Sequence, residues 1–411
     1  MRKLFANRDA RVYLIGQSLS LLGDTSLWLA AGIWVKSLTG SNAKAGLVFF
    51  FYALAALSSP LAGVVVDRVR RRNVLISVNF LTAAAVLLVL FVHHASDVWI
   101  IYVVMVLYGI SGGLLSSAQS AFLTVLLPDE LLGDANGFLT TIREGLRLIA
   151  PLVGAGLFVL AGGAVVAVID AVSFVIAAAA TLSLRIREPK PERRTADKEP
   201  FFVELAGGFR HVLGTPVLRR LSIALAVALL VVGFAETAIF AIVASGLHRP
   251  PSFLGVILAI QGVGALFGGP SAAPLMKRTG ESLLVGIGLG VAAVGSAVLI
   301  SGNLVLTVVG VVLFGAAVPW IVVGAATLLQ RRTPPELQGR AASAFDALAT
   351  VPQTVSIGCG ALLIGIIGWR LELTAMSIVL ALSSLIMFVP RQAKYPGETL
   401  QAAEIGSAEA A

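Results

Sequence analysis

Charged side chains interrupt several long apolar stretches of this 411-residue chain: Asp24, Arg143, Glu144, Arg147, Asp170, Glu236 and Asp346. An ionisable group near the centre of a bilayer costs from about 2.5 to above 10 kcal/mol, so it faces a cavity or a partner and commonly moves protons or holds a charged substrate. Asp24 is the most central of them. Gln17, Ser20 and Trp28 fall on roughly its helical stripe, and a polar stripe carrying an aromatic ring suits a cavity for an amphiphilic molecule. Asp24 therefore reads as a proton or cation site, with a buried structural hydrogen bond as the alternative. Glu236 is a second acid of the same kind. Arg143 and Arg147 are four apart and share a helix face, where two like charges demand an acidic neighbour. Glu144 is adjacent in sequence but points elsewhere, which makes Asp24 the expected partner. Asp170 reads as structural, and Asp346, near the end of its stretch, as a side chain reaching for the membrane surface. Tyr108, Gln261, Trp320 and Gln353 complete the candidate cavity, although interfacial anchoring explains an isolated aromatic equally well.

The elements that position these groups must be membrane helices. Hydrophobic residues make up 57% of the chain and charged residues 13%, against about 45–50% and about 25% in soluble domains. No soluble fold of this length hides so much apolar surface, which excludes a cytosolic enzyme, a disordered chain and a secreted module. The long runs lack the two-residue alternation of an outer-membrane barrel. The net charge of +8 does not mark a nucleic-acid binder, because the basic residues sit in short stretches between apolar runs. Cys359 is the only cysteine, so neither an intrachain disulfide nor a cysteine metal cluster is available, and a packed thiol is expected. His93 and His94 lie in a loop without ligand partners, so no metal site is expected. There is no phosphate-binding Gly-x-x-x-x-Gly-Lys-Ser/Thr and no nucleophile motif; neither ATP hydrolysis, a cofactor nor an enzymatic reaction is expected. Met1, Arg2 and Lys3 before an apolar stretch imitate a signal peptide, but that stretch is too long for one and carries Gln17 and Asp24. It reads as an uncleaved first span.

Apolar runs and breakers define twelve spans in an all-α polytopic membrane protein. The first six run 12–35, 45–66, 74–93, 98–123, 136–160 and 165–184; the second six run 221–245, 253–275, 283–301, 304–328, 341–367 and 371–389. This divides the chain into six-helix bundles at 1–184 and 221–390, a linker at 185–220 and a polar tail at 391–411. Positive charge accumulates on the cytoplasmic side of such proteins. With both termini cytoplasmic, the outer loops hold only Lys36, Lys44, Arg249 and Arg370 of the 30 lysines and arginines. The halves also resemble each other: Pro128, Glu130, Leu131, Gly133 and Ala135 recur as Pro334, Glu336, Leu337, Gly339 and Ala341. Asp67 and Arg68 match Lys277 and Arg278, and Asp24 and Thr25 match Glu236 and Thr237. A six-plus-six duplication follows. Gly207 and Gly208, among Phe201, Phe202, Leu205, Phe209, Val212 and Leu213, predict an amphipathic helix lying at the inner membrane surface with Glu204, Arg210 and His211 on its wet side. Spacings such as Gly264–Gly268 and Gly286–Gly290 are expected to serve helix packing.

At the end of the second span, Gly63, Asp67, Arg68, Arg71 and Arg72 are spaced as in the signature Gly-x-x-x-Asp-Arg-x-Gly-Arg-Arg/Lys of the major facilitator superfamily. The chain resembles that family over essentially its whole length. Arg70 stands where the family has glycine. The resemblance implies that Asp67 faces the start of span eleven, near Arg340 and Ala341, and latches the cytoplasmic side shut. Gly63 is expected to let another helix approach closely; without the family, the arginines read simply as charge anchors for the loop. Gly23-Asp24, Asp170 with Ser173-Phe174, and Gly208-Phe209-Arg210 resemble the macrolide-efflux and enterobactin-exporter branch of drug:proton antiporters. The antiporter motif of span five is reduced to Ala150-Pro151 and Gly154-Ala155. Met105 occupies the place of the span-four arginine, so the usual proton relay has no counterpart here.

The expectation is a secondary transporter of the inner (plasma) membrane that exports an amphiphilic, drug- or macrolide-like compound in exchange for protons by alternating access, working as a monomer. Its partners would be that small molecule, protons and the bilayer, with no nucleic acid. Siderophore or metabolite export, or proton symport, is the alternative within transport. A membrane sensor or scaffold of the same fold is the alternative outside it.

Overall fold

The computed structural model describes residues 2–66, 68–186, 188, 201–334 and 337–388. Among these residues the regular structure is helical, and nine helices are long and apolar enough to cross a membrane. Helix α1 (Arg2–Ala6) leads into α2 (Arg8–Thr39), whose first N–H groups, on Asp9 and Ala10, donate to Oδ1 of Asn7 at 3.0 and 3.2 Å, a side-chain cap for otherwise unpaired donors. The expected second span is broken into α3 (Asn42–Ala56) and α4 (Ser59–Val66). The cause is local: Pro60 has no N–H for the carbonyl of Ala56, and the Ser59 hydroxyl donates to that carbonyl instead, at 2.6 Å. Helices α5 (Arg71–Leu87) and α6 (Val98–Leu126) follow.

Helix α7 (Asp129–Leu182) has 54 residues; unbroken, it would extend about 80 Å, far beyond a hydrocarbon core about 30 Å thick. It is broken at Gly162, with φ 80° and ψ 169°, a conformation that glycine adopts without strain. After α8 (Phe201–Gly214) come α9 (Pro216–Val232) and α10 (Ala235–Ala241), the latter ending in a π-helical turn at Ile242–Gly246. Helices α11 (Phe253–Thr279), α12 (Glu281–Leu299) and α13 (Leu304–Arg331) precede α14 (Gln338–Phe388), which is broken at Gly368 with φ 73° and ψ 158°. The two breaks stand between expected spans five and six and between eleven and twelve, at matching places in the two halves.

Contacts between connections define two sides. On one, Gly246, Gly302 and Trp369 come together, and the Tyr102 hydroxyl donates to the carbonyl of Lys44 at 3.0 Å. On the other, the backbone N–H of Arg185 donates to Asp9, a ring nitrogen of His211 lies 3.2 Å from the carbonyl of Arg332, and Arg331 pairs with Glu281. These are called here the loop side and the terminus side.

The halves join on the loop side. Leu29, Ile33, Ala45, Phe49 and Ala155 belong to the same apolar core as α9–α14, Gly255 of α11 is pressed on Pro151 and Ala155 of α7, and Gly358 of α14 on the Phe50 ring. On the terminus side, Leu4, Tyr13, Leu75, Phe122 and Leu139 form a cluster confined to the first half. Helices α7 and α11 diverge there around a cleft of about 420 Å³ lined by Thr140, Thr141, Glu144, Gly145 and Leu266. The closest described crossings between the halves thus lie on the loop side, and a cleft between α7 and α11 on the other. Within the second half, Gly264 and Gly268 bring α11 against the backbone of Val312 and Ala316 in α13, the close packing that their spacing predicts.

Candidate functional site

The residues expected to carry chemistry meet where α2, α6 and the second part of α7 touch. Gly23, having no side chain, lets α2 approach so closely that a Cβ there would lie 2.5 Å from Oδ1 of Asp170 and 2.5 Å from Oγ of Ser173. The next residue, Asp24, is thereby brought to Tyr108 on α6, whose hydroxyl oxygen lies 2.9 Å from Oδ1 of Asp24 and 3.2 Å from Oδ2 of Asp170. Phe174 holds the Tyr108 ring edge-on, centroids 5.8 Å apart, and Tyr52 of α3 lies 6.1 Å away. Exposure falls along the series: Asp24 is half-buried, Tyr108 is 7% exposed and Asp170 0%.

This geometry bears on two expectations. Asp24 is hydrogen-bonded to Tyr108 and has no ion pair among the described residues, and Arg143 is exposed. Asp67 and the side chain of Arg147 lie outside the described residues. Asp170, read as structural, shares its hydrogen-bond donor with Asp24. Its signal in the sequence was an acid one helical turn from Ser173 in an apolar stretch, yet nothing linear linked it to Tyr108.

The remaining candidates are dispersed. Gln17 is buried on the Asp24 stripe with its Nε2 unpartnered among the described residues, and the Trp28 ring lies 4.4 Å from that of Phe49. Glu144 is exposed and lines the α7–α11 cleft. Glu236 is half-buried just after the α9–α10 break. That break packs tightly on α14: a Cβ on Gly233 would lie 2.8 Å from the carbonyl oxygen of Gln353. The carbonyl oxygen of Gln261 would lie 1.9 Å from a Cβ on Gly315, so the backbones of Gln261 and Gln353 mark close helix crossings. The Trp320 indole N–H donates to Ser271 at 2.9 Å and ties α13 to α11. Gly154 lets α7 cross α2 within 2.5 Å of the Ser26 carbonyl, and Pro151 meets Gly255, so the antiporter-like residues make helix crossings. Glu372 was missed although it lies inside the last apolar run; it is 0% exposed with neither carboxylate oxygen hydrogen-bonded among the described residues.

The gate motif also differs from expectation. A Cβ on Gly63 would meet nothing within 4 Å, so no helix among the described residues crosses closely there. Arg68 is exposed. Glu188 accepts from the backbone N–H groups of Arg71 and Arg72 at 2.8 and 3.0 Å, and its Oε1 lies 3.7 Å from the Arg71 guanidinium. A carboxylate is well placed at the positive end of α5. Arg72 in turn donates to the carbonyls of Thr181, Leu182, Leu184 and Ile186, serving the unpaired acceptors at the end of α7. The start of α14 is covered by α8: a Cβ on Gly208 would lie 2.1 Å from the carbonyl oxygen of Arg340. Helix α8 therefore packs one face on α14, through Gly208 and the buried Val212, and does more than lie on a membrane surface.

Comparison with known proteins accords with this architecture. The family model described as Major Facilitator Superfamily matches residues 13–248 and 222–409. Macrolide efflux protein A of Streptococcus pyogenes is 26% identical over 204 residues, covering 48% of this chain and 50% of that protein. The Enterococcus faecalis protein of the same name is 28% identical over 150 residues, covering 36% and 46%. The chain thus spans about half the length of the curated relatives it matches. The crystal structure of the nucleoside transporter NupG superposes with a TM-score of 0.72 at 13% identity, covering 94% of this chain and 100% of that one.

Proposed function

Because the chain belongs to the Major Facilitator Superfamily and is a membrane transporter, we propose that it exports an amphiphilic organic compound, macrolide-like in size and polarity, in exchange for protons by alternating access. The observation that carries the reading is a carboxyl group in each half, Asp24 and Glu236, half-buried within an apolar bundle. A scaffold gains nothing from such groups, whereas a coupled transporter needs carboxyls that bind and release protons between the two sides. The named efflux relatives support the choice of an amphiphile as substrate, and the polar stripe of Gln17, Ser20 and Trp28 beside Asp24 supplies hydrogen bonds and an aromatic face. In this reading the terminus side is cytoplasmic, the α7–α11 cleft on that side marks the state open to the cytoplasm, the units at 1–184 and 221–390 rock about the substrate, and one copy suffices.

The test is transport of radiolabelled erythromycin by the full chain in proteoliposomes, with a pH gradient imposed in either direction. Uphill movement opposite to the proton gradient is expected. Movement along with the protons identifies a symporter. Indifference of erythromycin, with accumulation of a siderophore or metabolite in its place, moves the substrate class.

A further inference from the structure

We propose that Asp24, Tyr108 and Asp170 form one proton-sharing unit of the transport cycle, in which Asp24 exchanges protons with solvent and Asp170 is a closed store reached through the Tyr108 hydroxyl. This rests on the antiport reading and names the group that receives the proton.

The argument is a count of hydrogens. The Tyr108 oxygen is within hydrogen-bond distance of two carboxyl groups, at 2.9 Å from Asp24 and 3.2 Å from Asp170. Each contact needs a hydrogen between its two oxygens, and a phenol carries one. The second hydrogen must belong to a carboxylic acid. Ser173 does not satisfy Asp170 instead: its hydroxyl lies 2.7 Å from the main-chain carbonyl of Asp170 and 3.5 Å from the carboxyl oxygen, so its single hydrogen serves the backbone. Two ionised carboxylates on one phenol would also repel strongly where little water screens them. The pair of acids therefore holds one proton between them, and its titration belongs to the pair. The titratable groups facing one another are Asp24 from α2, Tyr52 from α3, Tyr108 from α6 and Asp170 from α7.

The exposure gradient gives the unit a direction. The one proton of the pair exchanges with water at the half-buried Asp24, and while it resides there Asp170 is ionised. The Asp24 O–H is then donated to the phenol oxygen while the phenol hydrogen passes to Asp170. The Asp24 O–H and the original Tyr108 O–H break, a new Tyr108 O–H and an Asp170 O–H form, and one negative charge moves from Asp170 to Asp24. Nothing else is consumed. Gly23 makes this possible, since any side chain there would push the Asp170 carboxyl and the Ser173 hydroxyl out of place and open the hydrogen-bond path.

The experiment is infrared difference spectroscopy on the purified full chain in lipid, following the carbonyl stretch of protonated carboxyl groups through pH steps and after transfer to heavy water. Wild type is expected to show a protonated-carboxyl band that Asp170→Asn removes. Tyr108→Phe should keep that band and slow its hydrogen–deuterium exchange about a hundredfold, the scale on which a positioned proton-transfer group acts. Survival of the band in Asp170→Asn, or wild-type exchange in Tyr108→Phe, overturns the proposal. Elution profile and helical circular dichroism check folding; Tyr108→Phe retains both acids and the ring, so it reports even if Asp170→Asn does not fold. In proteoliposomes, Asp170→Asn should lose erythromycin efflux driven by a pH gradient and keep downhill exchange. Wild-type gradient-driven efflux in Asp170→Asn also overturns the proposal. A wild type that ignores the gradient but shows both infrared effects supports the shared proton and overturns the antiport reading alone.

Discussion

Gly23 presses bare backbone against the Asp170 side chain: a Cβ on Gly23 would come within 2.5 Å of Oδ1 of Asp170 and 3.2 Å of its Cα. Gly23→Ala therefore forces the Asp170 carboxyl and Ser173 hydroxyl aside and α2 and α7 a few tenths of an ångström apart. Overpacking of this kind costs about 1–3 kcal/mol, and a lower thermal midpoint is expected in detergent. The separation also lengthens the path through Tyr108, so gradient-driven efflux should fall more than the yield of folded protein does. Wild-type stability and efflux together would show that this contact positions nothing.

Asp24→Asn keeps the size of the side chain and a polar partner for Tyr108 but can no longer ionise. Efflux driven by a pH gradient should be lost, while counterflow between equal substrate pools continues. Full gradient coupling in this variant, measured in proteoliposomes, would shift the role to Glu236 in the other half.

Glu188 receives two backbone N–H groups and the Arg71 side chain with only 2% of its own side chain exposed. Replacing it with alanine leaves the start of α5 uncapped and Arg71 without its partner. Hydrogen bonds to charged groups contribute about 1.5–3 kcal/mol each, so Glu188→Ala should lower the thermal midpoint clearly and raise proteolysis between α4 and α5. Glu188→Gln, whose amide keeps one accepting oxygen and replaces the other with an NH2 donor, should lie between it and wild type.

Single cysteines report which side is parted. In a Cys359→Ser background, cysteine at Thr141 or Leu266, in the α7–α11 cleft, should react rapidly with a membrane-impermeant maleimide from the terminus side. Cysteine at Gly358, which faces the Phe50 ring, should react slowly from either side. Equal rates at the two places would mean that the loop side is not closed in the membrane.

Much of the fold was legible along the chain because a bilayer makes each crossing a local matter. Every backbone N–H and C=O must be satisfied within its own helix, so about 20 apolar residues and their breakers define a span. Gly162 and Gly368 mark breaks because the backbone there adopts φ values that other residues resist. The same logic exposed Asp24, Asp170 and Glu236 as acids out of place in apolar runs. It did not foresee the break at Ser58, where one proline and two hydroxyls compete with a helix that hydropathy alone would continue.

Which acid meets which partner was decided only in three dimensions. Tyr108 lies 84 residues from Asp24 and 62 from Asp170, and no local rule ties those positions together. Their meeting depends on the rotation of three helices about their axes and on a separation measured in tenths of an ångström, both governed by how side chains and bare glycine backbone pack. The same packing gave Asp24 a phenol as its hydrogen-bond partner, where a charge balance read from the sequence had looked for an arginine. Sequence determined that ionisable groups would be buried in a membrane-spanning helical protein; tertiary packing decided which hydrogen-bond partner each one meets, because hydrogen bonds, unlike hydrophobic burial, depend steeply on distance and direction.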